Sequence, residues 1–155
     1  MISLAEKIKA DLNAALKSGD RFSVGVLRMA LSAVHNQELE KRRISGSAEL
    51  GDPEIVDLLL KEVKKRREAA ELFRKGGRGD LAEKEEKETE VLKKYLPAQL
   101  SEEETAAAVE KIIAGLGAVS EKDFGKVMGA AVKEIKGKAD SSVIGKAVKA
   151  KLGMK

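Results

Sequence analysis

The 155-residue sequence contains no cysteine. Disulfide frameworks, thiolate nucleophiles and zinc–thiolate sites are therefore excluded, which fits a reducing compartment. Aromatic residues make up only 3% of the chain. That is too few for the core of a β-sandwich, or for the ring platforms on which base-stacking nucleic-acid readers depend. A single histidine, His35, rules out a histidine-built metal site and leaves one imidazole for any hydroxyl nucleophile. It lies four residues after Leu31, on the flank of an apolar stripe, and reads as a boundary position. The opening residues include Glu6, Lys7 and Lys9, charges where a secretory signal would need an apolar stretch. Nowhere is there an uncharged run long enough to cross a bilayer. The expected location is the cytoplasm, with no membrane partner.

What is present favours helices. Apolar residues at 43% and charged residues at 36% give enough burial to offset conformational entropy. Ala, Leu, Lys and Glu dominate, and these lose least on entering a helix. The formal net charge of +4 is mild, but its distribution is not. Residues 124–155 hold eight lysines, at 126, 133, 136, 138, 146, 149, 151 and 155, against Glu134 and Asp140, a local balance of +6. Residues 97–123 run the other way, at −4.

The long segments follow the helical period. Ser3 caps a first helix with Leu4, Ile8, Leu12, Ala15 and Leu16 on one face, ending at Gly19. Asp20 opens a second, with Val24, Leu27, Leu31 and Val34 inward, running toward Arg43, and a Gly/Ser-rich loop at 44–51 follows. Asp52-Pro53-Glu54 starts a third, with Asp52 as the cap and Ile55, Leu59, Val63, Ala70 and Phe73 on its inner face. Arg66 falls on that buried stripe, and pairing with Glu38 of the second helix is the expected resolution. Gly76-Gly77 stops it. A fourth helix opens near Asp80, but residues 83–90 are charged or polar throughout. It is expected to be a solvated connector packed only at its ends, with Glu83–Lys87 and Glu90–Lys94 as supporting pairs.

Pro97 breaks the run, and Ser101-Glu102-Glu103-Glu104 restarts it as a capping box. The domain boundary is placed there, giving 1–96 and 97–155. Three short helices are expected after it: 102–114, one capped by Ser120 with Asp123, and one after Asp140. No strand pattern is evident. The fold class is all-α, an N-terminal helical hairpin or bundle plus a small C-terminal three-helix domain.

Chemistry is sparse. Gly-Lys occurs at 125–126, 137–138 and 145–146. None continues into Ser or Thr and none has a glycine five residues before its own, so a phosphate-binding loop is unsupported. No cofactor and no metal are expected. At about 100° per residue, Phe124, Val127, Met128, Ala131, Val132 and Ile135 share an arc opposite Lys126 and Lys133. In the last helix Val143, Ile144 and Ala147 face inward and Lys146 and Lys149 outward. The lysines are placed to meet phosphates, or are the ordinary outward face of a small domain. Gly125 and Gly129, inside a helix at some cost, suggest close approach by another helix or by a partner.

Three stretches resemble the YqeY-like family: Leu27-Arg28-Met29-Ala30-Leu31-Ser32-Ala33, then Tyr95-Leu96-Pro97-Ala98-Gln99-Leu100-Ser101, then Asp123-Phe124-Gly125-Lys126-Val127-Met128-Gly129 followed by Lys136-Gly137-Lys138-Ala139-Asp140. That family is similar to the C-terminal helical and tail regions of the tRNA amidotransferase B subunit, a carbon–nitrogen ligase with glutamine as amido donor. The resemblance implies an all-α, two-domain fold and a tail that engages tRNA. By position it points to Gly125, Lys126, Met128, Gly129, Lys136, Gly137 and Asp140. It implies no catalytic cradle, and His35 stands where the family commonly has lysine.

The expected function is that of a non-catalytic module binding tRNA or another structured RNA, through Lys126, Lys133, Lys136, Lys138, Lys146 and Lys149. A helical adaptor docking on a translation-related protein is the alternative. An accessory role in tRNA-dependent amidation is the third.

Overall fold

The computed structural model describes residues 2–118 and 120–154, so Lys155 of the basic tail lies outside the described residues. They form seven α-helices and one short 3-10 turn, and no strand occurs among them. The chain divides into two compact units, 1–96 and 97–155.

The first unit contains α1 (Leu4–Ser18), α2 (Arg21–Ser45), α3 (Asp52–Lys75) and α4 (Gly79–Lys93). Its local punctuation is dense. The Ser3 hydroxyl accepts from the Glu6 amide while the Glu6 carboxylate accepts from the Ser3 amide at 2.8 Å, a closed capping box. Gly19 ends α1 with φ 76°, a left-handed conformation that an L side chain resists. Asp20 accepts from the Ser23 amide and hydroxyl, which holds its carboxyl below the ordinary carboxylate range.

The start of α3 differs from expectation. Gly51 is the capping position, and the Glu54 carboxylate reaches back to its amide at 2.8 Å. That bond, aided by Lys41 at 2.9 Å, lowers the pKa of Glu54. Asp52 is thereby released from its own helix. Its carboxylate accepts from the amide of Leu4, 2.9 Å away, and ties the first turn of α1 to the start of α3.

Ile8, Val26, Leu27, Ala30, Val34, Ile55, Leu59, Leu92 and Tyr95 form one continuous core. The tie at its end is Tyr95, whose hydroxyl donates to Asp11 at 2.6 Å. Burial first, and then the Asp11 bond, push the phenol well above its ordinary value near 10. Leu16, expected inside, is instead 47% exposed.

The largest correction concerns Arg66 and α4. Arg66 is buried, at 7% exposure, but its partner is not Glu38. Its guanidinium meets the carboxylate of Glu88 and lies 3.4 Å from that of Glu85, both on α4. A solvated connector would leave those acids in water. They point inward instead, with Ala82, Thr89 and Leu92 buried beside them, so α4 packs on α3 along its length. The surface pairs are Arg74–Glu86 at 2.7 Å and Glu90–Lys93 at 3.3 Å, rather than the expected Glu83–Lys87 and Glu90–Lys94.

The second unit holds α5 (Glu102–Leu116), the 3-10 turn (Glu121–Asp123), α6 (Phe124–Glu134) and α7 (Ser141–Lys151). Ser101 caps α5 by accepting from the Glu104 amide at 3.0 Å. The helix runs through Gly115 and stops at Gly117, with φ 66°. Val109, Ile112, Val127, Ala131, Ile135, Ala139, Ile144 and Val148 make the core. Val132, assigned to the inward arc from the pattern, is 38% exposed.

Two predictions follow from these ties. Arg66→Leu leaves two half-buried carboxylates without their cation and lowers unfolding free energy by about 3 kcal/mol, whereas Arg66→Leu with Glu85→Leu and Glu88→Leu recovers most of it. Urea titration of the three chains measures both. Tyr95→Phe costs about 1–2 kcal/mol at neutral pH. Because the phenol's pKa is raised in the folded chain, the stability that depends on its proton is intact below about pH 10 and is lost above it as the unfolded phenol ionises first. The advantage of the parent over Tyr95→Phe therefore shrinks in melts run above that pH.

Candidate nucleic-acid interface

The site expected from the sequence is built on α6, α7 and the turn between them. The amphipathic pattern places Val127 and Ala131 of α6, and Ile144 and Val148 of α7, in the core, which sends the intervening lysines outward. Lys126, Lys133, Lys136, Lys138, Lys146 and Lys149 are all exposed. Lys126 and Lys133 lie seven residues apart on one side of α6, and Lys146 and Lys149 lie on α7, which packs against it. Lys136 and Lys138 sit on the connecting turn. The segment thus carries six cations on two adjacent helices and their link, while Glu102, Glu103, Glu104 and Glu110 lie on α5. One lysine outside this set, Lys151, bridges to Glu110 at 3.3 Å. Part of the pattern is ordinary helix electrostatics, since Lys133, Lys149 and Lys151 fall in last turns, where cations complement the dipole.

The motif residues divide into two groups. Gly137 and Asp140 shape the backbone. Gly137 is buried with φ 79°, so the turn after α6 needs a residue without Cβ. The Asp140 carboxylate accepts from the amide and the hydroxyl of Ser142, each at 2.8 Å, and caps α7. Met128 approaches Gly145 across the α6–α7 seam, its methyl 3.8 Å from where a Cβ there would sit. Gly125 and Gly129 behave differently. Both are exposed, and a Cβ built on either meets nothing within 4 Å among the described residues. Among the described residues, no helix of the second unit uses the space they leave.

One residue of the site was quoted in the sequence without a role. The Gln99 side-chain amide donates to the carbonyl of Pro97 and to that of Gly137, each at 2.7 Å. The next amide, of Leu100, donates to the Lys138 carbonyl at 2.8 Å. The segment after Pro97 is therefore stapled to the lysine-bearing turn, and two of the three resemblance motifs meet there. Only the glutamine between proline and leucine signalled it, and its partner lies 38 residues away.

A family model described as Yqey-like protein matches residues 5–152. The chain belongs to the YqeY-like family. The match spans both units. Among related proteins, Uncharacterized protein C22F3.15 of Schizosaccharomyces pombe is 34% identical over 99 residues, covering 64% of this chain and 76% of that protein. "Altered inheritance of mitochondria protein 41, mitochondrial" of Clavispora lusitaniae is 32% identical over 136 residues, 86% of this chain and 74% of its own length. The protein of that name in Pyrenophora tritici-repentis is 28% identical over 153 residues, 96% of this chain and 81% of its own.

These mitochondrial names overturn the expected cytoplasmic location. The physical reason is that charges near the N-terminus and the lack of an apolar span argue against secretion and membrane insertion, but they do not discriminate among aqueous compartments. Among the described residues, no helix is long and apolar enough to cross a membrane.

The two kinds of glycine in this YqeY-like chain respond oppositely to alanine. Gly137→Ala strains a left-handed turn and destabilises the second unit by about 1–2 kcal/mol. Gly129→Ala, in an ordinary helical position with open space, stabilises by about 0.5–1 kcal/mol. Denaturant unfolding of both variants checks the signs.

Proposed function

We propose that this YqeY-like chain is a non-catalytic binding module whose second unit meets the phosphates of a structured RNA such as tRNA. The single observation that carries the reading is the exposure of Lys126, Lys133, Lys136, Lys138, Lys146 and Lys149 on one contiguous α6–turn–α7 segment. Phosphate recognition needs cations held in register on a rigid frame and little else. The Gln99 staple and the Asp140 cap supply such a frame. With no aromatic residue besides Phe124 in residues 97–155, the RNA is read by shape and backbone rather than by stacked bases. The link to tRNA-dependent amidation is one of ancestry in this reading, with substrate positioning the role left to the chain.

A second reading, a protein adaptor for the translation machinery, draws on Gly125 and Gly129, whose outer faces are open beside the exposed Val132.

A salt-titrated binding assay with labelled tRNA separates them. The parent chain binds with an affinity that falls steeply with salt. The variant Lys126→Glu/Lys133→Glu/Lys146→Glu/Lys149→Glu is weaker by roughly 100-fold or more at low salt. Equal, weak binding by both chains removes the RNA reading.

A further inference from the structure

The first unit presents a groove that RNA contact by the second unit leaves unused. Between α1 and α2 lie two depressions of about 410 and 430 Å³. Arg28 lines both, and their linings succeed one another along α2 from Arg21 to Asn36, a trough with Arg28 at its middle. At 1.5 Å per residue that is about 22 Å, the length of four helical turns.

Its floor is apolar: Leu12 and Leu16 from α1, Val24 and Leu31 from α2. Leu16 is the side chain that the helical pattern placed inside and the fold leaves 47% exposed. Gly25 sits in the wall, in the second turn of α2, with nothing within 4 Å of a Cβ built on it and no left-handed φ to require glycine. Nothing within the first unit explains that glycine, whereas a side chain there would enter the trough.

The charge is of one sign. Arg21 and Arg28 line the trough, its other polar walls are Ser32, His35 and Asn36, and no carboxylate is among them. Lys9 lies three residues before Leu12, on the same side of α1 and exposed. Arg28 and Ser32 also belong to the first of the three resemblance motifs. Within it, Leu27 and Ala30 are buried and serve the core, but Arg28 and Ser32 face water.

We propose that the α1–α2 trough is a docking site for an acidic amphipathic helix of a partner protein. The partner's apolar stripe, at i, i+3, i+4 and i+7, lies on Leu12, Leu16, Val24 and Leu31, with its backbone passing closest at Gly25. Flanking Asp or Glu residues meet Arg21, Arg28 and Lys9. A second copy of this chain is disfavoured, because a two-fold contact through the trough sets arginine against arginine. A nucleic acid is disfavoured by the apolar floor and the small number of cations.

The test is selection from a displayed library of 18-residue helical peptides of randomised surface charge, with the whole chain as bait. Enriched peptides carry an apolar stripe flanked by acids. Arg28→Glu and Gly25→Leu each weaken them at least tenfold, and both variants melt at or above the parent's temperature. The four-lysine reversal of the second unit leaves the peptides bound. Enrichment of neutral or basic helices overturns the proposal. So does affinity unchanged by Arg28→Glu and Gly25→Leu, or displacement of the peptides by tRNA from the four-lysine variant, which would make the trough a phosphate site.

Discussion

A guanidinium cannot be left bare inside a protein, and Arg66 is placed where the period of α3 buries it. That constraint organises the first unit. Glu85 and Glu88 must come to it, and to do so α4 must fold back along α3 with its charged middle turned inward. The hairpin carries Leu92 and Tyr95 to the core as a result, and the Tyr95 hydroxyl then reaches Asp11 on α1. Asp52, freed by the Glu54 cap, closes the other end onto Leu4. With α1, α3 and α4 tied in this way, the opposite side of the α1–α2 pair keeps its apolar trough open.

The second unit relies on a smaller device. Gln99 bridges two carbonyls, one on each side of the gap between the segment after Pro97 and the turn at Gly137. Neutral hydrogen bonds of this kind contribute about 1 kcal/mol each. Their greater effect is geometric, because they fix the backbone from which Lys136 and Lys138 project and from which α7 starts. Gly137 and Asp140, singled out by resemblance as candidates for binding, are explained first by the architecture. The helix dipole accounts for Lys133 and Lys149 in their last turns but not for Lys126 or Lys146, and that asymmetry is what directs the functional reading toward the charged side chains.

Much of this was legible in the residues. Helix positions follow from Ser3, Asp20, Ser101 and Asp140 as caps and from Gly19 and Gly117 as stops, because caps and left-handed glycines are local chemistry. The misplaced side chains share one origin, that periodicity does not show what covers a face. Arg66 stands out on an apolar stripe, but every residue from 83 to 90 is charged or polar, and periodicity cannot show which face of an all-polar helix turns inward. The same limit applies to Leu16 and Val132, whose angles fit the buried arc although both are exposed. Gln99 offered only its place between Pro97 and Leu100 as a signal, since its second acceptor is 38 residues away. Location was beyond reach for a different reason, as aqueous compartments impose no distinguishing pattern on a folded core.

Under the proposed function RNA meets the second unit, and the first unit's trough is left to another partner. Amide chemical-shift mapping of the whole chain with tRNA added at moderate salt tests that division directly. Perturbations concentrated at Lys126, Lys133, Lys136, Lys138, Lys146 and Lys149 and their neighbours, with Arg21, Gly25 and Arg28 unmoved, are the predicted result. Perturbations centred on α1 and α2, or none that disappear on raising the salt, would contradict it.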